Sequence, residues 1–166
     1  IVYMDSTKGW IPILDEEVSE PGIAPSANPT GIFGYGGDPT TAVTNLVSNA
    51  GVVATDVTGV GHARNTVAAC EYGTETCIFA YGWDGGNANM SNLVSNTGVV
   101  ATDTAGVGTA RDDTAGCEYG GDKGIFAFGG PDLTTTNRVS NLGVVATDGQ
   151  AAGTGKNSCG GCSFGV

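Results

Sequence analysis

The sequence predicts an all-β protein made of three tandem copies of one four-stranded antiparallel unit. Three observations carry this. Glycine fills 29 of 166 positions, Thr, Asn and Val are abundant, and Lys, Glu, Leu and Gln are scarce, so good helix formers are missing and strands and tight turns are favoured. The strings NLVSNAGVVATD from Asn45, NLVSNTGVVATD from Asn92 and NRVSNLGVVATD from Asn137 agree at ten of twelve positions. Around each string, short apolar segments alternate with glycine-containing turns, as in strands of a meander.

In chain order, residues 1–30 stand apart. Residues 1–14 read as a β-hairpin turning at Ser6-Thr7-Lys8-Gly9, and Asp15-Glu16-Glu17 with Pro21, Pro25 and Pro29 mark an extended linker. A lone hairpin is marginal in water, so it is expected to pack on a neighbouring subunit. The chain opens on Ile1 without a secretory signal or an initiator Met, which points to a fragment or a processed product.

Residues 31–166 divide into copies at 31–76, 77–123 and 124–166. In the best-preserved copy the first strand is the small-residue run 66–72. A turn at Gly73 leads to the second strand, Ile78-Phe79-Ala80-Tyr81. A variable loop follows, then a third strand at 92–95. The Asn96-Thr97-Gly98 turn, with a residue suited to positive φ, closes a hairpin onto a fourth strand at 99–102. One meander cannot bury both faces, so the copies must stack to make a core.

Order and spacing resemble kelch-type β-propeller blades: an Arg (Arg64, Arg111, with Lys156 in the third copy), a small-residue strand, an Ile-Phe-x-aromatic-Gly strand, a variable loop and a hairpin. The glycine pair after the second strand stands at Gly36-Gly37 and Gly129-Gly130 but is broken by Trp83, and the last-strand Trp of kelch blades is replaced by Val53, Val100 and Val145. The run from Ile-Phe-Gly-Tyr-Gly through the twelve-residue string, with the opening Val2 to Ile13, is also similar to tandem repeats in structural proteins of marine bacteriophages. That resemblance implies a virion or extracellular setting and a structural role in a tail fibre or adhesion component. Three copies also fit a β-trefoil or β-prism with internal three-fold pseudo-symmetry. For blades, the two chain ends are complementary, and neighbouring chains could close a ring.

The acidic balance, 17 against 6 and a net charge of −11, repels phosphate backbones and anionic lipid. Nucleic acid and membrane insertion are therefore not expected. The expected partners are other copies of the chain or other virion proteins, and a host-surface glycan. The single histidine, His62, is matched by Thr109 and Thr154, and no nucleophile–base set recurs, so the sequence predicts no enzyme. No cofactor is expected. Cys159 and Cys162 form a lone CxxC without the further ligands a metal would need. Cys70 and Cys77 flank a turn and are candidates for a cross-strand disulfide.

Asp56, Asp103 and Asp148 close the fourth strands; the spacing predicts that they pin local turns through backbone N–H groups, with a Ca²⁺ role as the alternative. Arg64 and Arg111 are expected to pair with a carboxylate or carbonyl of the neighbouring unit. The copies diverge in the loop after the second strand (37–44, 83–90, 130–136) and at 65–67, 112–114 and 157–159. Divergent loops on a fixed scaffold are where binding resides. Trp83, Asp84, Asn87 and Asn89 supply an aromatic face and polar groups for a sugar, although the favoured role for Trp83 is to cap the edge of the core.

Overall fold

A computed structural model describes residues 2–5, 9–11 and 30–164. Over them the chain is all-β and antiparallel, without a helix. Strands β1 (Val2–Asp5) and β2 (Gly9–Ile11) form a hairpin with Val2 opposite Ile11 and Tyr3 opposite Trp10. The turn at 6–8 and the linker at 12–29 lie outside the described residues. Among the described residues no helix is long and apolar enough to cross a membrane.

Three further sheets follow. The first pairs β3 (Gly31–Gly36) with β4 (Thr41–Val47). The second orders β5 (Ala68–Tyr72), β6 (Thr76–Ala80) and β7 (Ser91–Val94) side by side. The third contains β8 (Ala115–Tyr119), β9 (Lys123–Ala127), β10 (Thr135–Val139) and β11 (Gly149–Gln150), in the order β11-β10-β9-β8. The boundaries expected at 76/77 and 123/124 are corrected by this pairing. They fall inside β6 and β9, and would cut the hairpins that those strands make with β5 and β8.

Strand content also departs from three uniform four-stranded units. The sheets have two, three and four strands, and in each the Val-Val-Ala-Thr-Asp segment joins its neighbour through an isolated bridge, Val47 to Val53, Val94 to Val100 and Val139 to Val145. The physical reason recurs in every copy. The Asn at the head of the twelve-residue string turns its side chain into the ladder and takes a carbonyl there: Asn45 Nδ2 donates to Ala54 O, Asn92 to Ala101 O and Asn137 to Ala146 O, at 3.0–3.1 Å. Backbone pairing is interrupted where the side chain replaces it and resumes beyond, at Thr44–Val57, Ser91–Thr104 and Thr136–Gly149. The hairpin turns themselves are built alike. The Ser140 hydroxyl accepts the Leu142 and Val144 N–H groups, as Ser95 does for Thr97 and Val99.

Successive sheets pack face to face. Phe79 on β6 meets the Tyr35 ring edge-on at 5.2 Å between centroids, and Phe126 on β9 meets Tyr81 in the same way at 5.4 Å. Such pairs add about 0.5–1.5 kcal/mol beyond the area they bury. One apolar cluster joins Tyr35, Phe79, Val94 and Val100; the other joins Ala68, Cys70, Tyr72, Ile78, Tyr81, Phe126 and Val139. β5 and β8 approach so closely that a Cβ on Gly116 would overlap the Ala69 carbonyl. Residues 158–164 extend the series: Ser158 N donates to Asp113 O at 3.0 Å, and Ser163 Oγ accepts the Glu118 N–H at 2.9 Å.

The expected Cys70–Cys77 disulfide is not made, and all five cysteines are free thiols. Cys77 lies opposite Glu71 and Cys70 opposite Ile78, so the two side chains leave the sheet on opposite faces. Cys70 belongs to one apolar cluster and Cys77 packs on the other. Burial pushes the Cys70 thiol up to about 12 and that of Cys77 up to about 11, which leaves almost no thiolate at neutral pH. In a native alkylation experiment read by mass spectrometry, exposed Cys162 is labelled first, and Cys70 reacts only once the protein unfolds.

Candidate functional site

Two kinds of residue occupy two places. The residues that recur between copies build a seam between stacked units, and the residues that diverge gather at one rim.

At the first seam Arg64 is fully buried. Its guanidinium lies over the Tyr35 ring, 4.4 Å from the centroid. Nε donates to Tyr81 O at 2.9 Å, Nη1 to His62 O at 3.2 Å and Nη2 to Asn92 Oδ1 at 2.7 Å. Asp103 Oδ1 stands 3.9 Å from Nη1, at the limit of an ion pair. Neutral acceptors and a ring face therefore hold most of this charge. Burial lowers the Arg64 value, while Tyr35 and Asp103 raise it in part.

The second seam repeats the first. Arg111 is fully buried over the Tyr81 ring at 4.0 Å, with Nε donating to Phe128 O at 2.8 Å and Nη1 to Thr109 O at 3.1 Å. Arg111 Nη2 and Asn137 Oδ1, the counterparts of the Arg64–Asn92 bond, are buried without a hydrogen-bond partner among the described residues. At the third position Lys156 Nζ lies 5.1 Å from the Phe128 ring centre and is exposed.

The aromatics are aimed by the backbone. Tyr35, Tyr81 and Phe128 have φ of 64°, 63° and 66°, and each is followed by a left-handed glycine. A non-glycine residue in this region costs roughly 1–2 kcal/mol. At Tyr35 and Tyr81, edge-on ring packing and a desolvated cation–π contact of about 2 kcal/mol offset that cost.

The three aspartates do not pin their own turns, which corrects the sequence expectation. Asp103 accepts the Asn92 amide at 2.8 Å and, from the preceding unit, the His62 N–H at 3.0 and 3.2 Å. Asp148 accepts Asn137 at 3.0 Å, the Thr109 N–H at 3.0 and 3.1 Å, and the Thr109 hydroxyl at 2.7 Å. Asp56 has Asn45 at 2.8 Å. Asp103 and Asp148 clamp one unit to the next, whereas Asp56 bonds within its own, and among the described residues no cluster of metal-ligating side chains forms.

The Asn137 amide, and then the Thr109 hydroxyl and N–H, hold the Asp148 carboxyl below its ordinary value near 3.8. A depressed carboxylate stabilises the fold when ionised; its contribution is full above the ordinary value and is lost as pH falls through the folded one. Thermal melts of Asp148→Asn and the parent chain should therefore differ at neutral pH and converge as pH falls below the ordinary carboxylate value and through the depressed one.

The rim collects both divergent windows. Asn65 and Trp83 exchange two backbone hydrogen bonds of 2.9 Å, and Gly130 N donates to Asp112 O at 3.0 Å. His62 Nε2 stands 3.7 Å from Asp84 Oδ2. Trp83 is 41% exposed and bridges to Asn87 within its own loop. Asn89 is turned away from this group, and its amide donates to Gly108 O at 2.8 Å. Of the four expected sugar-site residues, Trp83, Asp84 and Asn87 share the rim while Asn89 ties the loop to the connecting segment.

No protein-family model matches the chain, and no curated protein matches it. The arrangement itself then carries the functional reading: a seam of buried charge under a rim of variable loops. Sequence reasoning gave no role to Asn45, Asn92 and Asn137, nor to Tyr35, Tyr81 and Phe128. Their signal was present, since each recurs at the copy spacing, but recurrence alone does not separate a ring that packs from a ring that receives a guanidinium.

Proposed function

We propose that the chain is a non-enzymatic structural protein of a virion, a phage fibre or adhesion component that presents variable loops for contacts with a host or with other virion proteins. One observation carries this reading. The recurring charges at the two internal seams, Arg64, Arg111, Asp103 and Asp148, are engaged between units, and the two windows in which the copies diverge are adjacent on one exposed rim. A rigid stack with a variable rim is the division of labour expected of an adhesion scaffold. The likeness of its repeats and opening hairpin to phage structural proteins supports the virion setting.

Kelch-like blades are the architecture we favour. The Val-Val-Ala-Thr-Asp segments supply the outermost pairing of each sheet through bridges, which fits a four-stranded unit with a reduced last strand. A closed three-fold trefoil or prism would repeat the Asp103–His62 contact a third time, at Asp56. Among the described residues Asp56 accepts only Asn45, which weighs against closure by three units.

Antibodies raised against the chain should decorate intact virus particles released by cells that carry the gene, seen by immunogold electron microscopy. Labelling confined to cell material would sink the virion reading. A second reading, a carbohydrate-binding module, draws on exposed Trp83 beside Asp84 and His62. It requires a glycan-array signal that Trp83→Ala abolishes.

A further inference from the structure

We infer that the two ends of the stack form a head-to-tail interface with a second copy of this chain, the outer face of its third unit seating on the outer face of the first unit. The inference rests on the stacked-scaffold reading above and names its partner.

Each internal seam has a giving face and a receiving face, and the terminal units each leave part of one uncovered, residues 158–164 covering the β8 side of the third unit. On the receiving side, Asp103 and Asp148 take an N–H from the unit before them, whereas Asp56 has only Asn45 among the described residues. Gly98 is covered by Leu46, and Gly143 by Leu93 and Tyr72, but a Cβ on Gly51 would meet nothing within 4 Å. Phe79 and Phe126 are 4% and 0% exposed; their counterpart Phe33 is 63% exposed. On the giving side, Gly61 and Gly108 press against Asp103 and Asp148, while Gly153, with the same left-handed backbone (φ 112°), meets nothing within 4 Å. Arg64 and Arg111 are fully buried, and Lys156 in their place is exposed beside Phe128.

The unfilled positions match one another. Seating Gly153 and Thr154 against Asp56 gives the carboxylate the N–H that its counterparts receive. Lys156 then approaches Asn45 and Asp56 as Arg64 approaches Asn92 and Asp103. Exposed Arg138, the counterpart of Leu46 and Leu93, comes to Gly51, and Phe33 loses its contact with water. The giving end is cationic and the receiving end anionic, so charge favours this pairing even between chains of high net negative charge. The interface is heterologous, and it produces a ring where the rotation between units closes and a filament where it does not.

Sedimentation velocity and native mass spectrometry of the full chain provide the test. Association should rise with concentration in multiples of the 16.5 kDa chain. Asp56→Ala and Lys156→Glu, both exposed changes that leave the circular dichroism and melting behaviour of the chain intact, should each weaken association about tenfold or more. Mixing the two variants restores one good interface per pair, so they should form 1:1 dimers that grow no further. A parent chain that stays monomeric to millimolar concentration, variants that associate as the parent does, or a mixture without 1:1 dimers would each overturn the inference. Immunogold labelling of virions is independent of all three outcomes, so failure here is distinguishable from failure of the virion reading.

Discussion

Replacing Arg64 with alanine should lower the free energy of unfolding by about 3–5 kcal/mol. The change strands Asn92 Oδ1 and Tyr81 O, both of which the guanidinium satisfies in a fully buried setting. It also removes the cation from the Tyr35 ring and opens a void where the side chain lay. Domains of this size have roughly 5–15 kcal/mol in total, so the change should remove a large share of the protein's stability. Arg64→Lys keeps the charge but cannot reproduce three separate donors in a fixed plane, and should recover less than half of the loss. Arg138→Ala, at an exposed position, should fall within about 0.5 kcal/mol of the parent. Urea titrations followed by tryptophan fluorescence provide the comparison.

The second large effect is expected at Gly108. A Cβ there would overlap Asp148 Oδ1 and crowd the Asn137 amide, and the backbone sits at φ 79°. Gly108→Ala should therefore cost about 1–2 kcal/mol for the left-handed backbone and a further 1–3 kcal/mol for displacing the carboxylate from the Thr109 N–H. The chain contains its own control. Gly153 is the same position in the third copy with φ 112°, and a Cβ there meets nothing. In the dilute, unassociated chain Gly153→Ala carries a backbone cost without a clamp. The difference between the two variants isolates what a carboxylate clamp contributes to one seam.

Much of the fold is legible in the sequence because the strands of the middle copy follow local rules. Alternation and glycine turns place strands at 66–72, 78–81 and 92–95, against 68–72, 76–80 and 91–94 in the structure. The second strand ends one residue before Tyr81, whose left-handed backbone is imposed by the ring's place under Arg111 rather than by its own preference. The fourth strand dissolves into bridges for a comparable reason, since an Asn side chain nine residues earlier takes its carbonyl. Strand propensity carries no trace of that. The aspartates show the same limit. Nothing near Asp103 in sequence indicates that its N–H donor is His62, 41 residues away in the preceding unit. The cysteine pairing fails on parity, because Cys70 and Cys77 are close across a hairpin but one position out of register.

Buried arginines join the stacked units, and the chain offers a clean readout of this because it has three arginines, Arg64, Arg111 and Arg138. Arginine Nε–H groups can be observed directly by ¹H–¹⁵N NMR. Arg64 and Arg111 donate through Nε to Tyr81 O and Phe128 O while lying over tyrosine rings, and Arg138 is exposed. Two Nε–H signals should be protected from exchange and shifted by ring currents, beside one that exchanges rapidly with water. Three rapidly exchanging signals at ordinary positions would contradict the seam, and with it the stack.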